Sequence, residues 1–172
     1  STQHADSVSQ KEIRQKLIKH LITPIVGKLP ARNIFVNPTG QFIQGGFEAD
    51  TGLTGRKIMV DTYGGLISHG GGAFSGKDAT KVDRSAAYMT RYVAKNLVAQ
   101  GIAQDVIVSV AYAIGRSEPM MVRAVNEQGH DVLDSALAQF DFRPKAIISK
   151  LDLRTPIYLK TASYGHFGDK TM

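Results

Sequence analysis

Eleven of the chain's 17 glycines fall between Gly40 and Lys81, eight of them in the runs DTGLTGRK (Asp50 to Lys57), YGG (Tyr63 to Gly65) and HGGGAFSGKDATKVD (His69 to Asp83). A segment this rich in glycine cannot be the interior of a regular helix or sheet, so the elements on either side must act as a scaffold for loops. Four cations, Arg56, Lys57, Lys77 and Lys81, are set among these glycines. Backbone that can take positive φ lets successive N–H groups converge on an anion, and neighbouring cations add charge, so the pattern points to a phosphate-contacting loop system.

The formal charge of +6 and pI near 9.6 fit anionic partners in general. Nucleic-acid modules carry a basic stripe interleaved with aromatics, whereas here Asp50, Asp61, Asp78 and Asp83 flank the cations, which suits an enclosed polyphosphate better than an open nucleic-acid face. The 172 residues can bury one substantial core, and the absence of cysteine excludes disulfides and thiolate metal sites. No stretch approaches about 18 apolar residues, and Ser1 opens no signal-peptide pattern. The expectation is a cytoplasmic protein that engages neither a membrane nor a nucleic acid.

Ser9-Gln10-Lys11-Glu12 is a capping box, and Ile13, Leu17, Leu21 and Ile25 follow on one helical face, predicting a helix from about Gln10 to Leu21 that Pro24 ends. Ile34 to Val36 and Gln41 to Ile43 read as short extended segments around an Asn37-Pro38-Thr39-Gly40 turn. Ile58-Met59-Val60 reads as extended too, at a strand edge where Arg56 and Lys57 can point into a cleft. Asp83 or Ser85 can cap a helix carrying Ala86, Met89, Val93 and Leu97 on one face, with Gly101 as its stop. Val106 to Ala113 and Met120 to Val125 are strand candidates, and Asp131 to Phe140 and Arg143 to Leu151 are short helices, the latter with Pro144 in its first turn. The predicted class is α/β or layered α+β, with helices over one face of a sheet.

Gly71-x4-Gly76-Lys77 matches a P-loop up to its last position, where Asp78 replaces the Ser or Thr that would hold Mg²⁺. A phosphate loop of another kind fits better, since Lys77 and Lys81 would share a face if their segment were helical. Asp50 has a simpler use as a turn-former and Asp83 as a helix cap. His4, His20, His69, His130 and His166 lack metal-ligand spacing, and neither a serine-hydrolase elbow nor a dinucleotide fingerprint is present.

GGGAFSGKD (Gly70 to Asp78), with DTGLTGRK before it and KVDRSAAY (Lys81 to Tyr88) after it, resembles the signature of the S-adenosylmethionine synthetases, the methionine adenosyltransferase family. The resemblance extends from STQH (Ser1 to His4) through NPTGQF (Asn37 to Phe42) to TASYGHFG (Thr161 to Gly168). It implies one C-terminal domain of a three-domain pseudo-repeat over 44–172, preceded by the end of the central domain over 1–43. It also implies homodimers or tetramers with active sites between subunits, and formation of S-adenosylmethionine from ATP and L-methionine.

Position by position, the resemblance puts Gln41 and Phe42 beside the adenosine, Asp50 on ATP and methionine, and Arg56 and Lys57 on the nucleotide. Ala73 would meet the nucleotide through its backbone, Lys77 the polyphosphate and Lys81 the methionine, while Ile114 would line the adenine pocket. Arg56, Lys77 and Lys81 are the candidates for catalysis. The family's Mg²⁺ and K⁺ ligands lie in a His-Pro-Asp-Lys segment and acidic residues of its amino-terminal part, which this sequence lacks, so the resemblance also implies a fragment with no metal ligands of its own, inactive without that part. A noncatalytic nucleotide-binding module and a basic RNA-binding domain are the alternatives.

Overall fold

The computed structural model describes residues 1–133 and 139–168. By internal packing the chain divides into two units, Ser1–Leu53 and Thr54–Met172.

In the first unit, α1 (Gln10–Leu17) begins where Ser9 accepts the Glu12 N–H at 3.3 Å, and Glu12 pairs with Lys16 at 2.8 Å. The helical path does not stop before Pro24. It widens into a π-helical turn over Ile18–Ile22, in which the Thr23 N–H reaches the Ile18 carbonyl, and continues as α2 (Thr23–Val26) until Gly27 turns to φ 77°. Proline lacks an N–H, and the widened turn places Pro24 in the first turn of a new helical segment, where no donor is needed.

The extended segments expected at 34–36 and 41–43 are not strands. Ile34 is extended after a 3₁₀ turn (Ala31–Asn33), but its carbonyl accepts from Arg14 Nη1 at 2.6 Å. Phe42 donates its N–H to His4 Nε2 at 3.0 Å, and its carbonyl accepts the His4 N–H at 3.0 Å. Side chains and isolated backbone bonds, the Ile34 N–H to the Ala31 carbonyl at 3.3 Å among them, thus take up groups that a ladder would have used, and β-branched residues without a partner strand stay irregular.

The second unit is α+β. Ile58 to Val60, predicted as extended, instead enter the short helix α3 (Ile58–Asp61), with the Asp61 N–H on the Lys57 carbonyl at 3.0 Å and the Thr62 hydroxyl donating to the Ile58 carbonyl at 3.0 Å. The main helix, α4 (Val82–Ala99), buries Ala86, Met89, Val93 and Leu97, so the sequence period located its core face. Its N-cap is Lys81, not Asp83 or Ser85; Asp83 lies in the first turn, and the buried Ser85 hydroxyl donates back to the Lys81 carbonyl at 3.2 Å. Gly101, at φ 72°, reverses the chain after Gln100.

Strands β1 (Val106–Ala111) and β2 (Met121–Asn126) pair antiparallel, with Val106 opposite Asn126 and Ala111 opposite Met121. Val106, Val108 and Val110 alternate toward α4, while Ile107 and Ser109 face outward. The helix expected over Asp131 to Phe140 falls largely on 134–138, outside the described residues; Asp131 itself bridges to Val125 in an antiparallel pair. The last α-helix, α5 (Pro144–Lys150), starts from an extended Arg143 and packs its fully buried Ile147 on α4. Phe74, from the glycine loop, enters the same core as Met89, Leu97, Ala124 and Phe142. The loop is therefore pinned by a buried aromatic and is not merely draped over the scaffold. No described helix is long and apolar enough to cross a membrane.

Candidate functional site

In the first unit, Gln41, Phe42 and Asp50 are exposed. The Asp50 carboxylate accepts the Gly52 N–H at 2.9 Å, so it does form the turn that its residue type suggested.

The second unit brings together the loops that carry Arg56, Lys57 and Lys77. A Cβ built on Gly55 would lie 3.4 Å from Ala73 Cβ and 3.7 Å from the Ser75 carbonyl oxygen, so the 54–57 turn rests on the 73–77 turn. Gly72 is needed for a second close approach: a Cβ there would stand 2.6 Å from Asp83 Oδ1. That carboxylate receives Lys77 Nζ. Lys81 pairs with Asp78 at 3.4 Å, while the Thr80 hydroxyl and amide, and more weakly Lys81, pull the Asp78 carboxyl down to about 2.

Residues 77–81 are turns and not a helix, so Lys77 and Lys81 share no helical face; each is held by its own acid. Arg56 and Lys57 are exposed and enter no ion pair among the described residues. Ala73 is half-buried, and Ile114 is fully exposed beyond the end of β1.

A hollow of about 520 Å³ beside the glycine loop is lined by His69, Gly72, Phe74, Asp83, Ser109 and Tyr112 among others. It presents hydroxyls and a carboxylate, and none of the four cations faces it. The Tyr112 hydroxyl donates to the Phe142 carbonyl at 2.6 Å, and burial, with Asp141 adding to it, pushes its pKa up to about 12. A larger hollow, about 760 Å³, lies between α4 and 151–160, with Tyr88, Tyr92, Leu153 and Phe167 in its wall. Arg91, Lys95 and Lys160 also line this larger hollow, so an anion would find countercharge there as well as at the edges of the two touching turns, but not in the smaller hollow.

Beneath those turns lies a polar network that residue patterns alone did not single out. Arg84, buried on α4, donates through Nη1 to the Lys77 carbonyl at 2.8 Å, through Nε to the Tyr88 hydroxyl at 3.0 Å and through Nη2 to Thr161 at 3.2 Å, and lies 4.2 Å from the Tyr158 ring centroid. Tyr88 meets His166 Nδ1 at 2.6 Å, and His166 Nε2 meets Ser75 Oγ at 3.3 Å. The one sequence signal was an arginine four residues before a tyrosine, a spacing that brings the two side chains together on one face of a helix.

Among the described residues no group of three or more His, Asp and Glu side chains comes together as a metal site.

Residues 44–172 match the family described as S-adenosylmethionine synthetase, C-terminal domain. The chain is 56% identical over 176 residues to an S-adenosylmethionine synthase of Deinococcus deserti, covering 98% of this chain and 44% of that protein. It is 54% identical to the S-adenosylmethionine synthase of Deinococcus radiodurans, covering 98% of this chain and 43% of the relative. With that of Petrotoga mobilis it shares 53% identity, over 99% of this chain and 44% of the relative. The chain thus spans a little under half the length of the curated relatives it matches.

Proposed function

The chain belongs to the S-adenosylmethionine synthetase family, and we propose on that premise that its glycine turns receive the triphosphate of ATP in a transferase that joins adenosine to L-methionine and releases phosphate and pyrophosphate. The observation that carries this reading is the seating of the 54–57 turn on the 73–77 turn, which gathers Arg56, Lys57 and Lys77 on adjoining backbone.

The chemistry suits such a surface. The thioether sulfur of methionine carries no proton, so its attack on the 5′ carbon of ATP requires no general base. It requires alignment, and positive charge where the departing triphosphate gains negative charge. Lys77 supplies that charge by exchanging Asp83 for a phosphate oxygen, and its carbonyl, anchored on Arg84, keeps the turn in place during the exchange. Arg56 and Lys57 approach the phosphates from the other turn, with the Ala73 backbone between. Lys81 and Asp50 serve the methionine end, and Gln41, Phe42 and Ile114 the adenosine.

In this assignment 1–43 is the end of a central domain and 44–172 the C-terminal domain. The enzyme is a cytoplasmic homodimer or tetramer whose sites are completed across subunits. The family's Mg²⁺ and K⁺ do not fit the described residues, which assemble no cluster of ligands, so no step is assigned through a metal here. The test is incubation of the full-length protein with ATP, methionine, Mg²⁺ and K⁺, with mass spectrometry for the sulfonium product. Its absence, under conditions where a relative's synthase makes it, refutes the assignment.

A further inference from the structure

His166 lies at 1% exposure and touches both cation-bearing segments. Its backbone N–H donates to the Asp61 carbonyl, 2.8 Å away at the end of α3, into which Arg56 and Lys57 lead. Its ring meets Ser75, two residues before Lys77. The preceding Gly165, at φ 81°, packs so closely that a Cβ there would stand 3.0 Å from the Val60 carbonyl oxygen.

The network also assigns the ring's proton. An arginine Nε–H can only donate, so the Tyr88 oxygen accepts from Arg84. The only other partner of that buried hydroxyl among the described residues is His166 Nδ1, so the tyrosine proton points there, and Nδ1 must be an unprotonated acceptor. A neutral imidazole then carries its hydrogen on Nε2 and donates it to Ser75 Oγ. The run Arg84 to Tyr88 to His166 to Ser75 has one direction throughout.

We propose that His166, neutral and protonated on Nε2, is a positioning residue that clamps the 54–61 and 73–77 segments together so that their cations meet one phosphate chain. The clamp and the tautomer stand on the hydrogen-bond geometry; the phosphate chain rests on the reading under Proposed function. A second proton would put a donor on Nδ1 against the donating Tyr88 hydroxyl and break the run. Burial first, then the charge of Arg84 on α4, disfavours that proton, while the Asp61 carboxylate on α3 opposes them; Phe74 and Phe167, which pack around the ring network, carry no charge.

The test uses the full-length protein labelled with ¹⁵N-histidine, together with H166F, H166Q and S75A variants. The expected signature of His166 is the Nε2–H tautomer, persisting at pH values where exposed histidines protonate. H166F is expected to weaken binding of ATP and of inorganic tripolyphosphate about tenfold, and to speed exchange of the Lys77 amide, whose bond to the Phe74 carbonyl is 3.1 Å long. H166Q, with a neutral donor able to reach Ser75, should recover most of both, and S75A cuts the same link at a half-buried position should H166F fail to fold. An Nδ1–H tautomer, ordinary titration, or Lys77 exchange unchanged in both H166F and S75A overturns the clamp. Wild-type protein that binds neither ATP nor tripolyphosphate refutes the Proposed function instead, and the Lys77 exchange then decides the clamp alone.

Discussion

Lys77→Ala separates folding from chemistry. In the folded protein the ammonium makes one ion pair among the described residues, with Asp83, and the two side chains are 30% and 49% exposed. A pair this open to water contributes roughly 0.2 to 1 kcal/mol to stability. The carbonyl of the same residue stays bound to Arg84, so truncation leaves the turn anchored. A loss of that size moves the melting temperature by no more than about 4 °C in a domain of this length. If Lys77 meets the departing triphosphate, its loss at the transition state should cost about 3 to 4 kcal/mol, or roughly a hundred- to a thousandfold in turnover. The assay pairs thermal unfolding with initial rates of sulfonium formation in the full-length protein. Near-normal turnover, or a rate loss accompanied by a large fall in melting temperature, refutes the reasoning.

Lys81→Ala should raise KM for methionine well above any change in KM for ATP, and equal losses for both would remove the assignment of Lys81 to the methionine end. Arg84→Met strips donors from the Lys77 carbonyl, the Tyr88 hydroxyl and Thr161 inside the core, and should lower the unfolding free energy by about 3 kcal/mol in urea titrations; a loss under about 1 kcal/mol would show that water replaces those bonds. The His166 pKa is lowered on folding, so the unfolded chain binds the extra proton first as pH falls. Its contribution to stability should be complete above about pH 6.5 and decline as pH drops toward the folded value. Urea midpoints across that window should slope in wild type and flatten in H166Q, and parallel slopes would exclude His166 as their source.

Features set by neighbours in the chain were readable without coordinates. The Ser9 cap, the core face of α4, its Gly101 stop, Pro144 in the first turn of α5 and the Asp50 turn all depend on a few consecutive residues. The same holds for the family signature, a string of ordered residues. Extended segments take their meaning from a partner: Ile34 to Val36, Gln41 to Ile43 and Ile58 to Val60 carry strand-like residues but pair with no strand among the described residues, and they became side-chain-tied loop or helix. Pro24 was misjudged because a π turn can absorb it.

The amino-acid order by itself determined that this chain holds glycine turns studded with Arg56, Lys57, Lys77 and Lys81, since φ preference and charge belong to single residues. Only tertiary structure decided which acids those lysines meet, that Gly55 lies against Ala73, and that His166 reaches back across 91 positions to Ser75. Contacts over such separations follow from how α3, α4 and the final segment pack around Phe74, and hydrogen-bond direction in a buried network is a property of the assembled set of donors and acceptors, which no short stretch of chain contains.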